Sequence, residues 1–130
     1  MLTGKRVLIV DDDVRNVFAL ASVLELNGLE VCYADNGEAA LAAVGGPPAV
    51  DAVLMDVMMP GMDGNAAMAA IRGRSEHADL PIIAVTAKAT QGDRERSLEA
   101  GASGYVTKPV DTDHLLDLLR HHLAPAGTGA

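Results

Sequence analysis

Five short apolar runs alternate along this chain with five longer stretches whose apolar residues recur at helical spacing, and no segment repeats another. The runs are too short for helices. They are expected as strands at Arg6–Val10 (RVLIV), Glu30–Ala34 (EVCYA), Ala52–Met55 (AVLM), Ile82–Val85 (IIAV) and Gly104–Val106 (GYV). Several are β-branched and unbroken by polar residues, as in a parallel sheet covered on both faces. The stretches Val14–Leu26, Gly37–Val44, Gly64–Arg72, Thr90–Ala100 and Asp111–Leu123 are expected as helices. Asn27-Gly28 closes the first, Asn36 precedes the second and Gly45-Gly46-Pro47-Pro48 closes it, while Asp111 stands at the N-cap position of the last. Leu115, Leu116, Leu118, Leu119 and Leu123 give that last helix an apolar stripe for docking on the sheet. Right-handed crossovers fold such a βα series into a doubly wound sheet with helices on both faces, a three-layer α/β/α domain.

At 130 residues, 49% of them apolar, the chain is expected to form one domain over residues 1–124, with 125–130 (PAGTGA) as a flexible tail. A net charge of −8 without any Lys/Arg-rich run argues against direct nucleic-acid binding, which needs a basic face. No apolar run approaches the roughly 20 residues that span a bilayer. The opening MLTGKRVLIVDDD passes straight from an apolar stretch into carboxylates, unlike a signal peptide. No membrane insertion and a cytoplasmic location are the resulting expectations. Cys32, the single cysteine, has no partner for an internal disulfide and no zinc-ligand spacing, so it is expected to be structural.

In a doubly wound sheet the functional crevice lies beyond the C-terminal strand ends, where the strand order reverses. The residues at those positions are Asp11, Asp12 and Asp13 after the first strand, Asp56 after the third, Thr86 after the fourth and Lys108 after the fifth. In the flavodoxin-like order 2-1-3-4-5 the first and third strands are neighbours, and three or four carboxylates then share one cleft. Two charges about 4 Å apart repel by about 4 kcal/mol at an effective dielectric of about 20, a sizeable part of a domain's net stability of about 5–15 kcal/mol. A raised carboxylate pKa, the Lys108 cation or a hard oxygen-seeking ion would compensate. Magnesium suits best, because it takes one or two carboxylates, a carbonyl and waters, and coordinates phosphate as well. Together with Lys108 it would turn a repulsive cleft into one that accepts a phosphoryl group.

Each residue taken alone has an ordinary reading. Three aspartates after a strand make a solvated turn, and Asp13 fits a helix N-cap; Asp56 opens a loop, MMPGMDG, Thr86 suits a cap and Lys108 a surface charge. Their conjunction at four strand ends in this order is what a chance arrangement does not produce.

The stretches VLIVDDD, LMDVMMPGMDG, IIAVTAKA and AGASGYVTKPVD resemble the acid-pair, phosphorylation, switch-threonine and lysine segments of response-regulator receiver domains, over Lys5 to about Leu123. DDDVRNVFAL and TAKATQGDRERSLEAG are similar to receivers attached to hybrid histidine kinases. The resemblance implies a phosphoacceptor switch rather than an enzyme, phosphorylated at Asp56 by a histidine kinase or histidine phosphotransfer protein, able to use small donors and slow to lose the group. It implies metal binding by Asp11 through water, by Asp12 and Asp56 directly and by the Met58 backbone carbonyl, with Mg²⁺ as the ion and Mn²⁺ as a substitute. Lys108 and Thr86 would hold phosphoryl oxygens, Pro109 would follow a cis bond, and Tyr105 would be the switch aromatic. The fourth helix, fifth strand and fifth helix would change on activation and carry partner or self-association contacts. Gly104 departs from the Asp common at its position, while Met58 and Lys88 occupy two positions that tune dephosphorylation.

Two rival functions have specific objections. An aspartate-nucleophile phosphatase carries DxDxT, whereas Asp56 is followed by Val57-Met58 and lacks the second acid. A flavodoxin needs hydroxyls and amides after its first strand, where this chain has three anions, and it lacks a tryptophan to stack on flavin. With no effector domain in the sequence, a receiver belonging to a larger hybrid kinase is expected ahead of a free-standing one.

Overall fold

The computed structural model describes residues 4–46, 50–57, 64–73, 80–86, 91–108 and 110–123. In chain order the elements are β1 (Arg6–Val10), α1 (Val14–Leu26), β2 (Glu30–Ala34), α2 (Gly37–Gly45), β3 (Ala52–Asp56), α3 (Gly64–Arg72), β4 (Ile82–Thr86), α4 (Gln91–Ala100), β5 (Gly104–Thr107) and α5 (Thr112–Leu123). All strands are parallel, in the order β2-β1-β3-β4-β5. This is the expected doubly wound arrangement. Pro109, the expected 125–130 tail and Thr90 lie outside the described residues.

Alternation along the strands divides the core into two layers. Val7, Ile9, Leu54, Ile83, Val85 and Val106 face α1 and α5, and meet Val17, Leu20 and Leu24 from one helix and Leu115, Leu116, Leu119 and Leu123 from the other. Leu8, Val10, Val53, Met55, Ile82 and Ala84 face the other way, onto Ala40 and Val44 of α2 and Ala67, Met68 and Ile71 of α3. Each large apolar side chain buried in these layers contributes about 1.5–3 kcal/mol relative to exposure, so the sheet is held from both sides.

Local chemistry sets the helix ends as expected. Asp13 caps α1 by accepting from the Arg15 N–H, Asn36 caps α2 from the Ala39 N–H at 2.8 Å, and Asp111 accepts from Asp113 and His114 at the start of α5. Gly28 takes a φ of +86° just past Asn27, which ends α1.

One expectation needs correction. β3, β4 and β5 each run one residue further than their apolar runs, because ladder pairs Asp56 with Val85 and Thr86 with Thr107. Asp56 and Thr86 are thus the last residues of strands. β2 lies at the edge of the sheet, as the expected order has it: Tyr33 is 65% exposed, and of its five residues only Ala34 is buried.

Candidate functional site

Register brings the chemistry to one end of the sheet. Val10 pairs with Met55, so Asp11, the next residue, lies beside Asp56; Thr86 pairs with Thr107, so Lys108 extends one residue beyond. Counting by twos from the core positions gives Asp11, Asp56 and Lys108 the parity of Ile9, Leu54 and Val106, which face α1 and α5. Thr86 shares the parity of Ala84, which pairs with Tyr105, and both belong to the α2/α3 side.

Asp56 is 3% exposed, Asp11 4% and Thr86 2%. Asp12 is exposed at the mouth of the cleft. Carboxylate oxygens of Asp11, Asp12 and Asp56 lie within 4.8 Å of one another, a spacing at which the three could hold one cation between them, directly or through water. The donor set is oxygen alone, which fits a hard ion such as magnesium and not a thiolate- or imidazole-seeking one.

Lys108 Nζ lies 3.5 Å from Asp11 Oδ2 and 3.6 Å from Asp56 Oδ1, so one ammonium serves both buried acids. Its backbone N–H donates to the Thr86 carbonyl at 2.7 Å, which ties the lysine to the end of β4. Asp11 is held further: Oδ1 accepts from the Asp13 N–H at 2.8 Å and Oδ2 from the Asn16 amide at 3.3 Å. Asn16 went unnoticed in the sequence, where an amide in the first turn of a helix is an ordinary solvated residue.

The surrounding ionisable groups behave as their contacts require. The Arg15 side chain and backbone N–H hold the Asp13 carboxyl below its usual range, and Asp13 raises the guanidinium in return, as suits a half-buried cap beside an exposed arginine. Burial, followed by the negative charge of Asp93 on α4, pushes the Tyr105 phenol up. Burial also raises the Cys32 thiol, which keeps it protonated and matches a structural role. Met58 and Lys88, like Pro109, lie outside the described residues, whereas Asp11, Asp12, Asp56, Thr86, Tyr105 and Lys108 are all within them.

Comparison with known proteins gives the family. The family model of the response regulator receiver domain matches residues 7–120, and the chain belongs to that family. It is the receiver module of a two-component phosphorelay. It is 40% identical over 117 residues to the sensor histidine kinase GacS of Pseudomonas protegens, covering 88% of this chain but only 13% of the kinase. It is 39% identical to protein PilH of Pseudomonas aeruginosa, covering 92% of this chain and 98% of PilH. The receiver domain of a Pseudomonas aeruginosa sensor histidine kinase, solved with a magnesium ion coordinated in its active-site cleft, superposes with a TM-score of 0.86 at 33% identity, covering 95% of this chain and 100% of that one. Among the described residues no helix is long and apolar enough to cross a membrane.

Proposed function

We propose that this receiver accepts a phosphoryl group on Asp56 from a histidine kinase or histidine phosphotransfer protein, and that the modification changes the face made by α4, β5 and α5. The observation that carries the reading is the position of Asp56: a nearly fully buried acid at the end of the central strand, 3.6 Å from an ammonium and within reach of two further acids. An Asp56 carboxylate oxygen attacks phosphorus, the bond from phosphorus to the donor imidazole nitrogen breaks, and that nitrogen keeps the electron pair. The product is an acyl phosphate. Lys108 supplies a positive charge to one phosphoryl oxygen and the Thr86 hydroxyl a hydrogen bond to another.

Asp11, Asp12, Asp56 and the Met58 carbonyl are the groups that would hold Mg²⁺, with Mn²⁺ as a substitute. A divalent ion there supplies positive charge against the phosphoryl oxygens. Asp12 suits direct ligation because it is exposed and near the other two acids. Asp11 suits ligation through water, since Asp13, Asn16 and Lys108 already engage its oxygens. The module acts in the cytoplasm, without inserting into a membrane or contacting nucleic acid directly, in keeping with its net charge of −8. The switched face serves the output partner or a second copy.

Acetyl phosphate with Mg²⁺ tests the assignment. Borohydride trapping and mass spectrometry are expected to find the label on Asp56 alone, and undiminished labelling of an Asp56→Asn variant would sink it.

A further inference from the structure

Asp11 Oδ2 faces two partners of different kinds, an ammonium and an amide. Lys108 Nζ stands 3.5 Å from it and Asn16 Nδ2 3.3 Å from it. The lysine is also 3.6 Å from Asp56 Oδ1, so before any phosphoryl group arrives it is divided between two buried acids. Once Asp56 carries a phosphoryl group the ammonium is needed at a phosphoryl oxygen, and its departure would leave a buried Asp11 oxygen short of a donor. The Asn16 amide already addresses that same oxygen. It is neutral, so it neither repels the lysine nor attracts a cation, and the Asn16 N–H bond to the Asp13 carbonyl at 3.0 Å fixes its place in the first turn of α1.

We infer that Asn16 is a positioning residue: by sharing Asp11 Oδ2 with Lys108 it lets the ammonium leave Asp11 for the phosphoryl group. A cavity of about 200 Å³, lined on its polar side by Asp11, Asn16 and Lys108, gives both side chains room to readjust without displacing the core. The inference rests on Asp56 being the phosphoacceptor.

The test separates metal binding from phosphoryl binding. Asn16→Leu keeps the size of the side chain and removes the donor; Asn16→Ala removes the donor and enlarges the cavity. For each, Mg²⁺ affinity is measured by amide NMR titration, followed by beryllofluoride affinity at saturating Mg²⁺. Both variants are expected to bind Mg²⁺ within about twofold of wild type and beryllofluoride about fivefold more weakly, the share of one net hydrogen bond. Unchanged beryllofluoride affinity overturns the inference. So does an equal loss of both affinities, which would mean that Asn16 only steadies Asp11 for the metal, and so does a loss confined to Asn16→Leu, which would mean crowding. Failure of the wild type to bind beryllofluoride would instead overturn the reading of Asp56.

Discussion

Lys108 sits 3.5 Å from one buried carboxylate and 3.6 Å from another, both longer than the roughly 2.7–2.9 Å of a direct charge-assisted hydrogen bond. The ammonium is centred between two acids and bonded closely to neither, which would suit its proposed move to a phosphoryl oxygen. Its charge also opposes any cation entering the cleft. Lys108→Met is therefore expected to bind Mg²⁺ more tightly, by up to about tenfold given the size of a Coulomb term at short range. The same variant should lose labelling by acetyl phosphate. Weaker Mg²⁺ binding would show instead that the lysine is needed to build the acid cluster. A second residue-scale prediction concerns Met58 and Lys88, two positions past Asp56 and Thr86. Hydrolysis needs a water held in line with the departing carboxylate, and a thioether accepts weakly while an ammonium does not accept at all. Lost positioning of this kind costs up to on the order of 10²-fold. Decay of the phosphorylated form in Mg²⁺, followed after donor removal, should be slow in the wild type and faster in a Met58→Asn, Lys88→Glu double variant; an equal or slower rate there would locate control of the water elsewhere.

At the scale of elements, the foot of α4 is fixed by a residue from another helix. Arg72, last in α3, donates from Nε to the Gly101 carbonyl at 2.9 Å and from Nη2 to Ser103 Oγ at 3.1 Å. Gly101 has a φ of +120°, and a Cβ there would meet Arg72 Cγ at 2.5 Å. Gly101→Ala is expected to cost about 1–3 kcal/mol, visible as a lower urea midpoint with an unchanged slope. A midpoint equal to wild type would mean that the Arg72 chain moves aside and the turn relaxes without strain. This latch was not legible in the sequence, because it depends on two segments about thirty residues apart meeting below the sheet. The elements themselves were legible, since strands buried on both sides must be apolar throughout and the caps Asp13, Asn36 and Asp111 are local. What failed locally failed for a tertiary reason. Asp56 and Thr86 are polar, so the apolar runs stop before them, yet ladder pairing carries the strands on. The acids and lysine were legible because strand ends are sequence-local; Asn16 was not, because its meaning lies in which oxygen its amide reaches.

Across the whole molecule, α4 is held differently from its neighbours. α5 buries four leucines and α1 buries Val17, Leu20 and Leu24, whereas the only buried residue of α4 is Ser97. Little apolar area opposes a displacement of α4, while Arg72 bonds to Gly101 and Ser103 just past its C-terminal end. Thr86 at the end of β4 and Tyr105 on β5 lie on the face that α4 covers, and Asp93 in its first turn is close enough to influence the Tyr105 phenol. With its pKa raised above the ordinary value of 10.0, the phenol stays neutral throughout the physiological range, so a change at Tyr105 there reports movement and not ionisation. Drawing Thr86 toward a phosphoryl oxygen would vacate space beside Tyr105 and alter the seat of α4, a small shift biasing a lightly held element. Beryllofluoride with Mg²⁺ is accordingly expected to move amide NMR signals from Gln91 to Ala102 and around Tyr105, in addition to those beside Asp56. In Thr86→Ala the ligand should still bind, through Asp56 and Lys108, while most of the remote changes disappear. Remote changes that persist in Thr86→Ala would route the coupling through another residue, and changes confined to the neighbours of Asp56 in the wild type would mean that the α4, β5 and α5 face does not switch.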